Sequence, residues 1–225
     1  MRNTALVIIS LLLTIDLSHA AAVVYSADAD TYVRDGKYAD DNYGSDDLIK
    51  AKSQGGDKYH RRTLIRFDLS EARSTFEDAV FSVTQAVNGV QQVEVFGLNH
   101  GLDSWDENSL TFNNARGSGL LDDGAAVNLG LIDFSASGSG QQKSLRGNAL
   151  TQFLRNGIGE DGLVTLLLVS TETDAHNVAQ FASREGSLGG PGLQFTETEA
   201  VPLPGAALLF VPIAATALIR RRCSR

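Results

Sequence analysis

Cysteine, tryptophan, methionine and histidine are all scarce in this 225-residue chain, with one, one, one and four copies. The single cysteine, Cys223, lies close to the C-terminus, so the body of the chain has no disulfide and no thiolate ligand for zinc. The sequence also lacks a His-Glu-x-x-His motif, a Gly-x-Ser-x-Gly motif and a glycine-rich phosphate loop. These absences argue against the common hydrolases and nucleotide-binding enzymes, and we expect a non-catalytic protein.

The N-terminus is typical of a secretory signal peptide. Arg2 precedes an apolar run at residues 5–13, and small residues follow that allow cleavage after Ala20 or Ala22. An uncleaved membrane anchor is the alternative, but Asp16 interrupts the apolar stretch. We therefore assign residues 1–22 to the signal peptide, 23–200 to one exported domain and 201–225 to a C-terminal segment.

The C-terminal segment contains three elements in order: a VPLP motif, a short apolar run and a basic cluster. The apolar run, residues 205–219, is slightly shorter than the roughly 17–25 residues of most spanning helices. Basic residues that flank such a run stay on the cytoplasmic side of the membrane. We expect a hydrophobic transmembrane helix. The motif and the cluster consist of Val201, Pro202, Leu203, Pro204, Arg220, Arg221 and Arg222, with Arg225 close behind.

This three-part order resembles the PEP-CTERM class of sorting signals in its VPLPA-like variant, with Gly205 where alanine is common. The resemblance implies a Gram-negative producer, an exosortase and the inner membrane as partners during sorting, and removal or exchange of the tail. It also implies a final location in the cell envelope or the extracellular matrix, where such proteins are linked to exopolysaccharide and biofilm.

The exported domain is strongly acidic. Taking Arg2, the four tail arginines and Asp16 from the totals of 19 basic and 27 acidic residues leaves 14 and 26, a net charge of −12. This balance argues against nucleic acid as a partner. About 180 residues suffice for a single hydrophobic core.

The domain reads as many short β-prone segments separated by Gly, Asn, Asp and Ser, a pattern that predicts an all-β, jelly-roll-like β-sandwich. One helix or turn is expected at residues 149–154, with Asn156 and Gly157 as its stop signal. The predicted strands are 23–25, 31–33, 48–52, 63–69, 79–87, 93–98, 125–134, 163–170, 177–183 and 193–198.

Several motifs occur in a characteristic order along this domain. They are DADTYVR at 28–34, YAD at 38–40, NYG at 42–44, RTLIRFDLS at 62–70, WDE at 105–107, LTFNNA at 110–115 and FASRE at 181–185. This order resembles DNRLRE domains, which overlap carbohydrate-binding module family 96. The resemblance implies a β-sandwich that binds polysaccharide, including uronate polymers such as alginate, without catalysis. Phe112 departs from the family, which often has a second tryptophan there.

Positive charge is concentrated early in the domain, with eight of its 14 basic residues between positions 34 and 66. Strand alternation places Thr63, Ile65, Phe67 and Leu69 on one face and Arg62, Leu64, Arg66 and Asp68 on the other. If residues 48–52 form a neighbouring strand, Lys50, Lys52, Arg62 and Arg66 make one basic strip for an acidic polysaccharide, either alginate-like or made by the producing cell. The alternative is that these cations pair with surface aspartates.

Further candidate ligands come from aromatic residues. Tyr43 and Tyr59 lie in turn-rich stretches, where an exposed ring can stack on a sugar. Arg34 stands in the first family motif and completes the set of polysaccharide-binding candidates. Trp105 is predicted to be a buried structural residue.

Structural calcium is the only cofactor that the sequence suggests. Aspartates crowd the start of the domain, and Ca²⁺ is bound by six to eight oxygen ligands. Asp28, Asp30, Asp40 and Asp41 are the candidate ligands, although no EF-hand spacing is present. The alternative is that these aspartates form turns and add solubility.

Two other functions remain open at this stage. The same fold could serve as a structural matrix protein without a sugar site. A jelly-roll polysaccharide lyase is the other alternative, with Tyr59, His60, Arg61 and Arg62 as its candidate set. Neighbouring strand residues point to opposite faces, which argues against a shared catalytic centre for these four.

Overall fold

The computed structural model describes residues 21–53, 59–73, 75–88, 92–122, 124–135, 138–172 and 177–197. Nearly all of the predicted signal peptide and the whole C-terminal segment, including its predicted helix and sorting motif, lie outside these ranges. Within them, no helix is long and apolar enough to cross a membrane.

The described chain is built mainly from strands, with two α-helices and one short 3₁₀ turn. In chain order the elements are β1 (Ala21–Ser26), β2 (Ala29–Arg34), the 3₁₀ turn (Gly36–Tyr38), β3 (Leu48–Ala51), β4 (Arg61–Asp68), β5 (Phe76–Thr84), β6 (Gln92–Leu98), α1 (Phe112–Gly117), β7 (Ala126–Asp133), β8 (Gln142–Arg146), α2 (Asn148–Glu160), β9 (Leu163–Ser170), β10 (Ala179–Ala182) and β11 (Gly192–Glu197). All ten predicted strands are present, and β8 is an additional one.

The strands form two facing antiparallel sheets and a short two-stranded extension. The five-stranded sheet has the order β2-β4-β9-β6-β7, the four-stranded sheet has the order β1-β11-β5-β8, and β3 pairs with β10. A bridge between Gln85 and Phe181 connects β10 to the end of β5. Because successive strands repeatedly change sheet, the predicted all-β, jelly-roll-like sandwich is confirmed.

Two hydrophobic cores flank the five-stranded sheet. The inner core lies between the sheets and includes Ile65, Phe67 and Phe81, which are fully buried. The outer core contains Leu64 and Trp105 and is covered by the segment from β6 to β7. Leu64 is therefore as buried as its neighbours on the inner face, although strand alternation predicted it beside the surface arginines.

Helix α2 is longer than the sequence predicted. Its buried residues Leu150, Phe153, Leu154 and Gly157 follow a helical period and form one face. The predicted stop at Asn156 and Gly157 is wrong, because the helix continues to Glu160. Gly157 is needed there for close packing, since a Cβ at this position would overlap the Val164 side chain.

Candidate functional site

Three basic residues form a row at one end of the five-stranded sheet. Arg34, the last residue of β2, is the register partner of Arg61, the first residue of β4. On the other side of β4, Arg61 forms an isolated bridge with Lys52. Directly opposed residues of antiparallel strands project to the same face. Lys52, Arg61 and Arg34 therefore lie side by side, and we call them the cationic row.

The two arginines of this row have no acidic partner. Among the described residues, no carboxylate lies within ion-pair distance of Arg34 or Arg61. Nε of Arg34 and both Nε and Nη1 of Arg61 are buried without a hydrogen-bond partner. Burial lowers the pKa of Arg61, and the positive charge of Arg34 lowers it further. Directly opposed like charges are destabilising, so this arrangement costs folding free energy.

Tyrosine rings surround the cationic row. The guanidinium carbon of Arg34 lies 3.5 Å from the centroid of Tyr38 and 5.4 Å from that of Tyr59. Tyr43 stacks on Tyr32, with 4.3 Å between ring centroids. Burial raises the pKa of the Tyr43 hydroxyl, which donates a hydrogen bond to Asp41. The site thus combines guanidinium groups with aromatic faces.

Tyr59 has a left-handed backbone conformation, with φ of 72°. This conformation is uncommon for a bulky residue and costs on the order of 1–3 kcal/mol. Such strain is concentrated at ligand-binding positions in many proteins. The conformation of Tyr59 therefore gives a reason, independent of charge, to consider this end of the sheet functional.

Lys50 belongs to the edge of the same surface but is already paired. Its Nζ atom donates to the Tyr32 hydroxyl at 3.2 Å and lies 3.4 Å from Asp46 Oδ2. The Tyr32 hydroxyl donates in turn to Asp46 at 3.1 Å. Lys50 thus pairs with a carboxylate and holds a buried tyrosine in place, whereas no described carboxylate pairs with the arginines of the row.

The predicted basic strip is wrong in its geometry, because Arg62 and Arg66 lie on the opposite face of β4. Arg62 donates to the Leu121 carbonyl at 3.1 Å. Arg66 binds both oxygens of Asp28 and donates to the carbonyls of Asp103 and Trp105. Both arginines fasten the segment that covers the outer core. Sugar binding by Arg62 and Arg66 stays a prediction.

The predicted strip is wrong because the pairing of Lys52 with β4 is shifted by one residue. Strand β3 pairs with β10, and just after β3 an isolated bridge joins Lys52 to Arg61 of β4. Lys52 is therefore in phase with Arg61 instead of Arg62, and a one-residue shift moves a side chain to the other face. Arg61 was predicted only as part of the lyase alternative and not as a polysaccharide ligand, although its position beside His60 and Arg62 was the available signal.

Trp105 is buried, as predicted. It is 7% exposed, packs in the outer core and donates from Nε1 to the Thr165 hydroxyl at 3.0 Å. Its ring has little exposed surface for a ligand. Its packing and its hydrogen bond are both structural.

The predicted calcium ligands do not come together, because their backbone segments diverge after β2. Asp28 pairs with Arg66, and Asp30 is buried on the other face of β2. Asp40 and Asp41 are exposed in the following loop, where they accept hydrogen bonds from Asn113 and Tyr43. The prediction that these four aspartates lie together is therefore wrong.

A different acidic cluster joins three of the family motifs. Carboxylate oxygens of Asp30, Glu107 and Glu185 lie within 4.8 Å of one another. Arg184 lies among them, with Nη2 2.6 Å from Glu107 and Nε 2.8 Å from Glu185. Burial raises the pKa of Asp30 to about 7, and the hydrogen bond from the Arg184 backbone opposes that shift.

Within the described part of the chain, these three carboxylates could hold a metal ion, but Arg184 already supplies a positive charge to them. Calcium binding therefore stays a prediction. Unfolding midpoints measured with added Ca²⁺ and with EDTA test it, and equal midpoints would count against it.

Comparison with known families agrees with this architecture, and residues 21–125 match the family model of Carbohydrate-binding module family 96. The match spans slightly less than half of the chain and includes the cationic row. It confirms the resemblance drawn from the motifs: over these residues the chain is similar to carbohydrate-binding module family 96.

A solved structure with a weak similarity is that of the Clostridium thermocellum N-terminal endo-1,4-beta-D-xylanase 10B, comprising CBM22-1 and GH10 modules complexed with xylohexaose. The identity is 10% and the TM-score is 0.31, and the alignment covers 80% of this chain but only 29% of that chain. At this level the similarity carries no argument about ligand or activity. No curated protein matches the sequence.

Proposed function

We propose that the protein is a non-catalytic module that binds an acidic, uronate-containing polysaccharide through the cationic row and its tyrosines. The observation that carries the proposal is the direct opposition of Arg34 and Arg61, with no described carboxylate within ion-pair distance of either. A guanidinium group binds a carboxylate through two parallel hydrogen bonds, so a uronate residue would supply the missing acceptors.

The tyrosines supply the second part of sugar recognition. Aromatic faces pack against the apolar face of a sugar ring, while a phenolic hydroxyl remains free to form hydrogen bonds. Tyr38, Tyr43 and Tyr59 offer these faces next to the guanidinium groups. The combination distinguishes a saccharide site from a simple anion site, in which charge alone would suffice.

The direct test is affinity electrophoresis of the purified protein in gels that contain alginate, at low and at moderate salt. We expect the mobility to fall in the presence of alginate and the effect to weaken as salt screens the row. A structural matrix protein without a sugar site would migrate alike in both gels. A gain in ultraviolet absorbance during incubation with alginate would instead reveal a lyase.

We further propose that the module acts outside the cytoplasm, in the cell envelope or the extracellular matrix of a Gram-negative bacterium. The predicted signal peptide and the VPLP-containing tail support this location. Fractionation of the producing cells and the mass of the mature chain test it. An intact chain found in the cytoplasmic fraction would contradict it.

A further inference from the structure

A polar cavity lies at the same end of the five-stranded sheet as the cationic row, on the opposite face. Its volume is about 520 Å³, and α1 closes one side of it. The residues that define it are Asp35, Gly36, His60, Phe112, Asn113 and Arg116. His60, which belongs to the candidate set of the lyase alternative, lines this cavity, whereas no residue of the cationic row does.

Asp35 is the buried polar group of the cavity. Its side chain is only 9% exposed, and its Oδ1 atom has no hydrogen-bond partner. A buried carboxylate oxygen without a donor is costly, so a donor from a ligand would offset that cost.

The opposite side of the cavity is held rigidly by α1. Thr111 and Asn114 form a reciprocal capping box at its start. Asn113 is fixed from both ends, because its backbone N–H donates to the Ala39 carbonyl and its side chain donates to Asp40 at 2.7 Å. Phe112 and Arg116 therefore line the cavity from a well-defined position.

This set of groups suits a neutral sugar better than a uronate. Sugar hydroxyls both donate and accept, so they can donate to Asp35 and accept from the Arg116 guanidinium. The ring of Phe112 offers an apolar face for stacking. A uronate carboxylate in this cavity would meet the like charge of Asp35, which disfavours it.

The cavity and the cationic row are adjacent because they use consecutive residues of the same strand pair. Asp35 follows Arg34, and its N–H donates to the carbonyl of His60, the residue before Arg61. Successive strand residues point to opposite faces, so the two sites lie back to back. Strand β2 is the edge of the sheet, so no further strand separates them.

Tyr59 connects the two sites. Its ring faces Arg34 on one side and lies 3.7 Å from the position that a Cβ on Gly36 would occupy. A ligand that passes over the edge at Tyr59 therefore reaches both the cationic row and the cavity.

We propose that the cavity binds a neutral, hydroxyl-rich sugar residue next to the uronate held by the cationic row. The preferred polymer is then an acidic heteropolysaccharide, in which uronates are linked to neutral sugars, and not a polymer of uronates alone. This inference rests on the proposed function of the row and adds the second sugar class that the polymer contains.

The test compares two kinds of probe in the same titration format with the full protein. Alginate contains only uronates, whereas hyaluronan and gellan link glucuronate to neutral sugars. We expect the wild type to bind at least one of the two heteropolymers about tenfold more tightly than alginate, the ratio that one additional hydrogen-bonded residue provides.

Substitutions separate the cavity from the row. Asp35→Asn and Arg116→Gln should remove that preference while leaving the affinity for alginate unchanged, whereas Arg61→Gln should weaken binding of all three polymers. Arg116 is exposed, so its substitution leaves the core intact, and the exposed Arg146 on β8 provides the matched control Arg146→Gln.

Two outcomes would overturn the cavity proposal: a wild type that favours alginate, or cavity variants that bind the heteropolymers like the wild type. In either case, loss of binding in Arg61→Gln would still support the row. If Arg61→Gln binds every polymer as the wild type does, the proposed function itself fails.

Discussion

Arg34 and Arg61 face each other directly across the β2–β4 ladder, and no described carboxylate lies within ion-pair distance of either side chain. A folded protein gains nothing from opposing two cations in this way. An anionic ligand that binds both guanidinium groups would explain the pair, and this explanation has measurable consequences.

Arg61→Gln should weaken binding to uronate polymers and leave the protein as stable as before or more stable. The substitution removes a like-charge contact, which is worth about 0.2–1 kcal/mol in a cross-strand pair. It also removes a bidentate donor for a ligand carboxylate, so we expect the affinity for alginate to fall roughly tenfold or more. Affinity electrophoresis and urea unfolding measure the two effects.

The neighbouring variant Arg62→Gln is the control for that experiment. Arg62 lies on the opposite face and donates to the Leu121 carbonyl, so its loss should lower stability slightly and leave binding unchanged. Equal binding losses in the two variants would contradict the assignment of faces.

Arg66→Ala should destabilise the protein by about 3 kcal/mol, since charge-assisted hydrogen bonds contribute about 1.5–3 kcal/mol. The variant loses the bidentate contact with Asp28 and the two carbonyl contacts that hold the segment over the outer core. Urea unfolding measures the loss, and binding should persist at temperatures where the variant is folded. A fully stable variant that no longer binds alginate would restore Arg66 as a ligand.

Trp105→Phe should lower stability by about 1–2 kcal/mol, because it leaves the buried Thr165 hydroxyl without the indole donor. Sugar binding should be unaffected, since the ring is buried in the outer core. Thermal unfolding and gel retention are measured on the same samples. Retention that falls while the melting temperature stays constant would instead identify Trp105 as a sugar platform.

Asp30 predicts a specific pH dependence of stability. Its folded pKa of about 7 is higher than its ordinary value of 3.8, so the folded state holds a proton that the unfolded state releases. The contribution of Asp30 is therefore fully favourable below about pH 4 and is lost as pH rises towards 7. Above about pH 7 the contribution of Asp30 to the free energy of unfolding no longer changes with pH.

Asp30→Asn isolates this contribution, because the amide resembles the protonated acid and does not titrate. The free energy of unfolding of the wild type, relative to the variant, should decrease between about pH 4 and 7 in urea titrations. The surrounding groups Glu107, Glu185 and Arg184 are present in both proteins. Parallel pH profiles for the two proteins would show that burial does not hold a proton on Asp30.

The sequence alone determined the fold class of the domain at residues 23–200. Alternation of apolar residues and the turn residues between them are local properties, and they located ten strands and the inner-face residues Ile65 and Phe67. The ordered motifs gave the resemblance to carbohydrate-binding module family 96. Three of their residues, Asp30, Glu107 and Arg184, are far apart in sequence but form one ion network.

Tertiary structure decided which side chains share a surface. Strand alternation assigns a residue to one of two faces, but it does not say which strands are neighbours or in what register they pair. The divergence of β3 towards β10 placed Lys52 beside Arg61, and the covering segment buried Leu64 and engaged Arg66. A site made from cross-strand neighbours depends on register, and register is fixed only when all the strands pack together.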